Sequence, residues 1–256
     1  MPSLQGRKAL VTGASRGIGR AIAVRFARDG AAVAVGGRDA ARIERTVREI
    51  ETAGGQAVPA AGDITDAAMA AAVVERAASQ LGGLDIVVNN AGIDASEWMP
   101  LHEWPIEDFD RILATNLRAP FLVSKFAMPH LVRAGRGAFL HISSVCAITV
   151  WAGDCAYDIS KAALNMLSDH IAVEYGPQGI TSNTLMPGQI LTEMYEEVKE
   201  AMPDAEEFEQ AILARHPIGR FGSVNEVAEA AVLLCSGAAP FLTGANVSID
   251  GAYSRV

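Results

Sequence analysis

Tyr157 and Lys161 stand at the two ends of Tyr157-Asp158-Ile159-Ser160-Lys161. On a helix that i, i+4 spacing puts both side chains on one face. An ammonium close to a phenol favours the phenolate and draws a tyrosine pKa from about 10 towards neutral pH. A tyrosine tuned in that way serves as a general acid or base. Ser144 follows the apolar run Ala138–Ser143, and its hydroxyl is suited to hydrogen-bond a substrate oxygen without bringing charge. A Tyr and a Lys at this spacing are common on helix surfaces, so the pair gains meaning only from what accompanies it.

What accompanies it is a glycine-rich turn, Thr12-Gly13-Ala14-Ser15-Arg16-Gly17-Ile18-Gly19. The turn follows Lys8–Thr12, which reads as a strand, and opens Gly17–Asp29, where Ile18, Ile22 and Phe26 recur at helical spacing. In that context the pattern is a dinucleotide fingerprint. Gly13 permits the tight turn, Gly17 lets the backbone approach a pyrophosphate, and Gly19 allows close helix–strand packing. The helix start then offers free N–H groups and the positive end of its dipole to phosphate.

The adenosine ribose is read at the end of the second strand, where an acid holds a free 2′-hydroxyl and a base accommodates a 2′-phosphate. This chain has Gly37 at the expected acid position, with Arg38 next, and Arg16 adds a second positive charge. The planar guanidinium suits phosphate. These residues favour NADP(H) over NAD(H), although Asp39 would serve as the ribose acid in a shifted register. Asn89-Asn90-Ala91-Gly92 closes the fourth predicted strand, where small residues let a cofactor lie against backbone and Asn side chains tie neighbouring strands together.

The elements that must position these residues alternate along the chain. Strands are predicted at Lys8–Thr12, Ala32–Val35, Gln56–Ala61, Leu84–Asn89, Ala138–Ser143, Ile180–Met186 and Asn246–Ile249. Helices are predicted at Gly17–Asp29, Ala40–Ala53, Asp66–Leu81, Ile106–Ala134, Asp154–Tyr175 and Val224–Cys235. Seven strands alternating with helices make an α/β fold, a Rossmann-like doubly wound parallel sheet with helices on both faces. One domain spanning 1–256 is expected. Residues 190–216 are acidic, helical and off the βαβ rhythm, and are expected to form a substrate lid.

Composition narrows the partners. The 256 residues are 50% apolar, 20% charged and 6% aromatic, with 24 glycines, which suits one large globular domain. A net charge of −9 argues against nucleic acid, whose phosphates require a basic surface. Cys146, Cys155 and Cys235 are odd in number and form no metal-ligand or paired spacing, so a reducing, cytoplasmic setting is expected. No apolar stretch is long enough to span a membrane.

Taken together, these motifs resemble the classical short-chain dehydrogenase/reductase family. The resemblance rests on Thr12–Gly19, Asp63, Asn89–Gly92, Asn116, Ser144, Tyr157 with Lys161, and Pro187-Gly188, in the family's order and along essentially the whole chain. It implies a tetrad: Tyr157 exchanges a proton with the substrate oxygen, Lys161 lowers the Tyr157 pKa and binds the nicotinamide ribose, Ser144 orients the carbonyl, and Asn116 holds a relay water. It further implies that Ser15, Arg16, Ile18, Asn90, Ala91 and Gly92 line the cofactor, that Asp63 and Ile64 contact adenine, that Pro187 and Gly188 back the nicotinamide, and that Ile190 and Thr192 bind its carboxamide or the phosphates. No metal is required. A homotetramer is expected, built on the helices near residues 106–134 and 154–175 and the last strand. Ser182 and Asp250-Gly251-Ala252 depart from the common pattern without touching the tetrad.

The substrate is expected to be a small carbonyl or alcohol. Pocket candidates are residues 93–98, 145–155, Gln189 and the lid; Trp98, Trp151, Cys155, Met186, Met194 and Met202 belong to that set, each equally explained by packing. His141 reads as a core residue. The N-terminal half is similar to 3-oxoacyl-[acyl-carrier-protein] reductases, but their basic docking patch is reduced here to Arg133 and Arg136, with Val173 where a further arginine is expected. Pro187–Met194 is more similar to gluconate and sugar dehydrogenases. A non-catalytic nucleotide-binding sensor is the remaining alternative, and the full tetrad disfavours it.

Overall fold

The computed structural model describes residues 3–95, 98–201 and 204–256. Among these, seven strands form one sheet in the order β3-β2-β1-β4-β5-β6-β7, with every neighbouring pair parallel. The strands are β1 (Lys8–Val11), β2 (Ala32–Gly37), β3 (Gln56–Ala61), β4 (Ile86–Asn89), β5 (Gly137–Ile142), β6 (Ile180–Pro187) and β7 (Asn246–Ile249). The α/β doubly wound reading therefore holds, and the predicted strand ends agree to within two residues.

Burial on both faces explains the continuous apolar strands. Ala9, Val11, Val33, Val35, Ile86 and Val88 point into one core with Ile22 and Phe26 of α1 (Gly17–Arg28), Ile43 and Ile50 of α2 (Ala40–Thr52) and Val227 of α9 (Val224–Cys235). Leu10, Ala34, Val87 and Phe139, from the alternate positions, point into the other core. There they meet Val73 and Ala77 of α3 (Ala67–Leu81), Val123 and Leu131 of α5 (Ala119–Ala134) and Ile171 of α6 (Cys155–Tyr175). Asp66 caps α3 by accepting from the Met69 N–H at 2.8 Å, and Ser223 and Glu226 form a capping box on α9.

The strand order reverses between β1 and β4, so the connections leaving their carboxyl ends run to opposite sides and leave a crevice. The long helix expected over Ile106–Ala134 is α4 (Ile106–Leu113) and α5 joined by a π-helical turn, Ala114–Arg118. Such turns occur often at functional sites, and this one carries Asn116. The segment off the βαβ rhythm is two helices, α7 (Glu193–Ala201) and α8 (Ala205–Ala214). No helix among the described residues is long and apolar enough to cross a membrane.

Candidate active site

A cleft of about 360 Å³ runs along the carboxyl edge of the sheet. Its floor is the glycine loop. The Asn90 side-chain amide donates to the carbonyls of Thr12 and Gly13 at 2.9 and 3.1 Å, and Thr12 Oγ1 accepts from the Asn90 and Ala91 N–H groups. These bonds tie β4 to the turn after β1. A Cβ at Gly13, which has φ of +63°, would lie 2.8 Å from Ala91 Cα, and one at Gly19 would lie 2.4 Å from the Gly13 carbonyl oxygen. Only glycine fits either place. Arg16 is the N-cap of α1 and offers it no side-chain cap, so the first N–H groups of that helix face the cleft unclaimed by side chains. A backbone cradle without Cβ atoms, at an open helix start, fits the pyrophosphate of a dinucleotide.

The end of the cleft where adenosine is expected is set by β2 and β3. Gly37, Arg38, Asp63 and Ile64 all line the cleft. Asp63 Oδ1 accepts from the Thr65 N–H and hydroxyl, and these bonds hold the carboxylate below the usual range. Asp39 caps α2 by accepting from the Arg42 N–H at 3.0 Å and pairs with the Arg42 guanidinium. It is engaged there and does not line the cleft.

The chemical end brings three of the four tetrad residues to the surface of the same cleft. Ser144 lies just beyond β5 beside Tyr157, and its hydroxyl accepts from the Cys146 N–H at 3.1 Å. Lys161, 4% exposed, donates to the Ile142 carbonyl at 3.0 Å, with its nitrogen 5.3 Å from the Tyr157 ring centre. Asn116 lies behind them, fully buried and off the cleft surface. It accepts from the Ile93 N–H at 2.9 Å and donates to the Ile93 carbonyl and to Ser160 Oγ. Pro187, Gly188, Ile190 and Thr192 form the opposite wall, where Gly188 packs on Asp250.

One electrostatic expectation is corrected. Lys161 was expected to lower the Tyr157 pKa; the phenol instead sits well above the ordinary tyrosine range. Burial is the main cause, followed by the charge of Asp94 and then by Cys146, whose thiol ionises only at high pH. Burial also brings Lys161 down to about 8 against the opposing pull of Asp94. The ammonium faces the ring and is anchored on a carbonyl, which limits its hold on the phenolic oxygen.

Asp94 and Asp154 are the residues that the sequence placed in range without distinguishing. Their carboxyls touch, and both are raised, Asp154 to about 9, by burial first and then by each other. Asp154 therefore keeps its proton at neutral pH. Asp158 accepts from the Trp151 N–H at 3.0 Å, which pins the Trp151 loop. Tyr253, near the C-terminus, also lines the cleft and was missed, because nothing local marks it. Cys155 does not line the cleft, whereas Cys146 does, with its thiol pushed up to about 12 by burial. His141 is a core residue, as expected; burial takes it down to about 3, so it is neutral. Trp104 donates to the Met99 and Gly153 carbonyls, and Met186 accepts from Asn165, so neither reaches the site. Met194 lines the cleft, and Met202 lies outside the described residues.

The α7–α8 segment lies over this cleft. Phe208 packs on Trp98, Thr192 and Glu193 face the glycine loop, and Glu197 forms an ion pair with Arg16. Among the described residues, no group of His, Cys, Asp and Glu has the arrangement of a metal site.

A family model described as enoyl-(acyl carrier protein) reductase matches residues 13–254. Gluconate 5-dehydrogenase of Gluconobacter oxydans is 37% identical over 249 residues, 97% of this chain and 95% of that protein. 2-(R)-hydroxypropyl-CoM dehydrogenase of Xanthobacter autotrophicus is 36% identical over 252 residues, 98% of this chain and 99% of that protein. The crystal structure of a gluconate 5-dehydrogenase from Burkholderia cenocepacia, in complex with NADP and tartrate, superposes with a TM-score of 0.92 at 31% identity, covering 99% of this chain and 97% of that one.

Proposed function

Since the chain belongs to the short-chain dehydrogenase/reductase family and is an oxidoreductase acting on CH–OH groups, we propose that it interconverts a secondary alcohol and its ketone with NADP(H), using Tyr157 as the proton donor and acceptor. The observation that carries this reading is that Ser144, Tyr157 and buried Lys161 come together at the end of a cleft whose floor is a glycine cradle.

Gly13, Gly17, Gly19 and the start of α1 would hold the pyrophosphate, and Asn90, Ala91 and Gly92 would back the ribose. When bound, the nicotinamide supplies or takes up the hydride. The protein's residues handle the proton. In reduction, the Tyr157 hydroxyl gives its proton to the carbonyl oxygen as Ser144 holds that oxygen by hydrogen bonding. In oxidation, the Tyr157 phenolate takes the alcohol proton. A high phenol pKa keeps Tyr157 protonated near neutral pH, which suits the reducing direction. Lys161 loses its positive charge as pH rises through about 8. Asn116, by fixing the main chain at Ile93, holds the floor beside Gly92.

NADP(H) is favoured because Arg38 and Arg16 flank the adenosine end while Asp39 is engaged as a helix cap. The lid role of residues 190–216 is supported by Phe208 on Trp98 and by Glu197 on Arg16. A free small molecule is favoured over an acyl carrier: Arg136 pairs with Asp85, Arg133 bonds to His130, and Val173 is 79% exposed where a further arginine would be needed. Phe121 on α5 and Ile159, Met166 and Val173 on α6 are exposed apolar residues, which supports burial against other copies in a homotetramer. The three free thiols suit a cytoplasmic setting.

The test is NADPH oxidation across a panel of ketones and keto sugars, with Tyr157→Phe alongside. The variant should lose at least about a hundredfold in kcat while still binding NADPH, as expected for removal of a general acid. Turnover by the variant at the normal rate would refute the mechanism.

A further inference from the structure

The substrate end of the cleft contains polar groups that the proton and hydride chemistry leaves unused. Asp94 and Asp154 line it with their carboxyls in contact, and Asp94 Oδ1 also accepts from the Ala95 N–H at 2.7 Å. Asp154 is only 3% exposed, yet its Oδ1 has no donor among the described residues. Trp98 lines the same cleft, and its buried indole N–H has no acceptor among those residues. A buried acceptor and a buried donor without partners, on two residues that line one cavity, are costly unless a small shift of those side chains lets a ligand satisfy them.

The chemistry of the missing group follows from this set. A hydroxyl both donates and accepts, so it serves a carboxyl oxygen and an indole N–H together. An ammonium cannot accept, and would leave Trp98 unserved. A carboxylate cannot donate, and would bring its charge against Asp94. Lys161 offsets only part of that charge, since desolvation outweighs it and leaves Asp94 raised. Lys161 is held on the Ile142 carbonyl, and Arg215 is stacked on the Trp151 and Tyr253 rings at 5.1 and 4.3 Å without lining the cleft. Asp158, already bonded to the Trp151 N–H, adds further negative charge. The ring walls of Trp98, Trp151 and Tyr253 would cover the carbon frame of such a ligand.

We propose that the Asp94–Asp154 carboxyl pair and the Trp98 indole form the specificity-determining end of the site, taking an uncharged polyol or hydroxyketone by a hydroxyl next to the reacting carbon and turning away hydroxy acids. This selection rests on the alcohol–ketone reading above and names the substrate class within it. It sets the chain apart from relatives whose names specify an acid such as gluconate.

Three alcohols of matched frame test the proposal: cis-1,2-cyclohexanediol, cyclohexanol and 2-hydroxycyclohexanecarboxylate, with kcat/KM measured using NADP⁺ and binding followed by tryptophan fluorescence. The wild type should prefer the diol to each of the others at least tenfold. Asp154→Leu should cut the diol-to-cyclohexanol ratio at least tenfold, with the loss in the diol KM. Asp154→Asn, of the same shape and still able to donate to Asp94, should retain most of the ratio. Asp94→Asn should raise the hydroxy acid at least tenfold relative to the diol. Equal use of diol and cyclohexanol by the wild type, or a ratio that Asp154→Leu leaves unchanged, overturns the proposal. Cyclohexanol turnover with no gain for the diol removes the pair's role and leaves the oxidoreductase reading standing. Diol binding that depends on Asp154, with no alcohol turned over, removes that reading and leaves the site standing. Neither binding nor turnover overturns both.

Discussion

Asp154→Asn should stabilise the protein, by an amount that grows with pH. Asp154 is 3% exposed, and burial with the charges of Asp94 and Asp158 lifts its carboxyl from the ordinary 3.8 to about 9. In the unfolded chain it ionises near the ordinary value. Between those two pH values the folded protein keeps a proton that the unfolded chain has released. The stabilisation from that retained proton is complete below 3.8 and is lost as pH rises towards 9. One such proton gives a slope of about 1.4 kcal/mol per pH unit. At pH 7, roughly three units above the ordinary value, the accumulated cost is about 4 kcal/mol, counted once because the touching carboxyls titrate as a pair.

Asparagine keeps the shape, cannot ionise, and is able to donate an amide N–H to Asp94. Wild type and variant should therefore match near pH 4, and the variant should be more stable at pH 7 by about 2–4 kcal/mol. For a chain of this length that is roughly 2–4 °C of Tm per kcal/mol. Guanidinium unfolding of both proteins at several pH values between 4 and 9 measures the effect. Parallel stability curves would show that Asp154 is ionised in the folded state, and the account of the carboxyl pair would fall.

Other substitutions test the cofactor end and the backbone. Arg38→Asp should weaken NADPH at least tenfold more than NADH in fluorescence titrations, and equal effects on both would remove the case for NADP(H). Glu197→Gln frees Arg16 from an exposed ion pair of the kind worth about 0.2–1 kcal/mol, so NADPH should bind up to about fivefold tighter, with NADH gaining less. Ala252 is the one non-glycine at positive φ among the described residues, at +70°. Replacing it by glycine relieves about 1–2 kcal/mol of left-handed strain against about 0.5–1 kcal/mol of added chain entropy, so Ala252→Gly should raise Tm by a few degrees in a thermal melt.

Much of this molecule is legible along the chain because its determinants are local and periodic. The alternation that sends Val33 and Val35 to one core and Ala34 to the other is written in successive residues. The glycine cradle is legible because Gly13, Gly17 and Gly19 crowd into one turn, and Tyr157 with Lys161 because one helical turn separates them. Ser182 was a departure without a reason in the sequence; its hydroxyl meets Ser168 at 2.9 Å, a pairing between β6 and α6 that no local pattern announces. The π-helical turn at Asn116 was equally silent, since its residues are ordinary helix formers.

What the sequence hides lies at the substrate end, where Asp94, Asp154 and Tyr253 come from three loops far apart in the chain and meet only because β4, β5 and β7 end at one edge. Their effect also reverses a local inference. Read by spacing alone, Lys161 lowers the Tyr157 pKa; in the folded cleft, burial and Asp94 raise it. Tertiary structure supplies both the burial and the charge, and the charge makes two functions interdependent. The carboxylate proposed to choose the substrate is also one that keeps the phenol protonated. Removing the Asp94 charge should therefore change specificity and move the rising limb of the oxidation profile, set by ionisation of the phenol, to lower pH in the same variant.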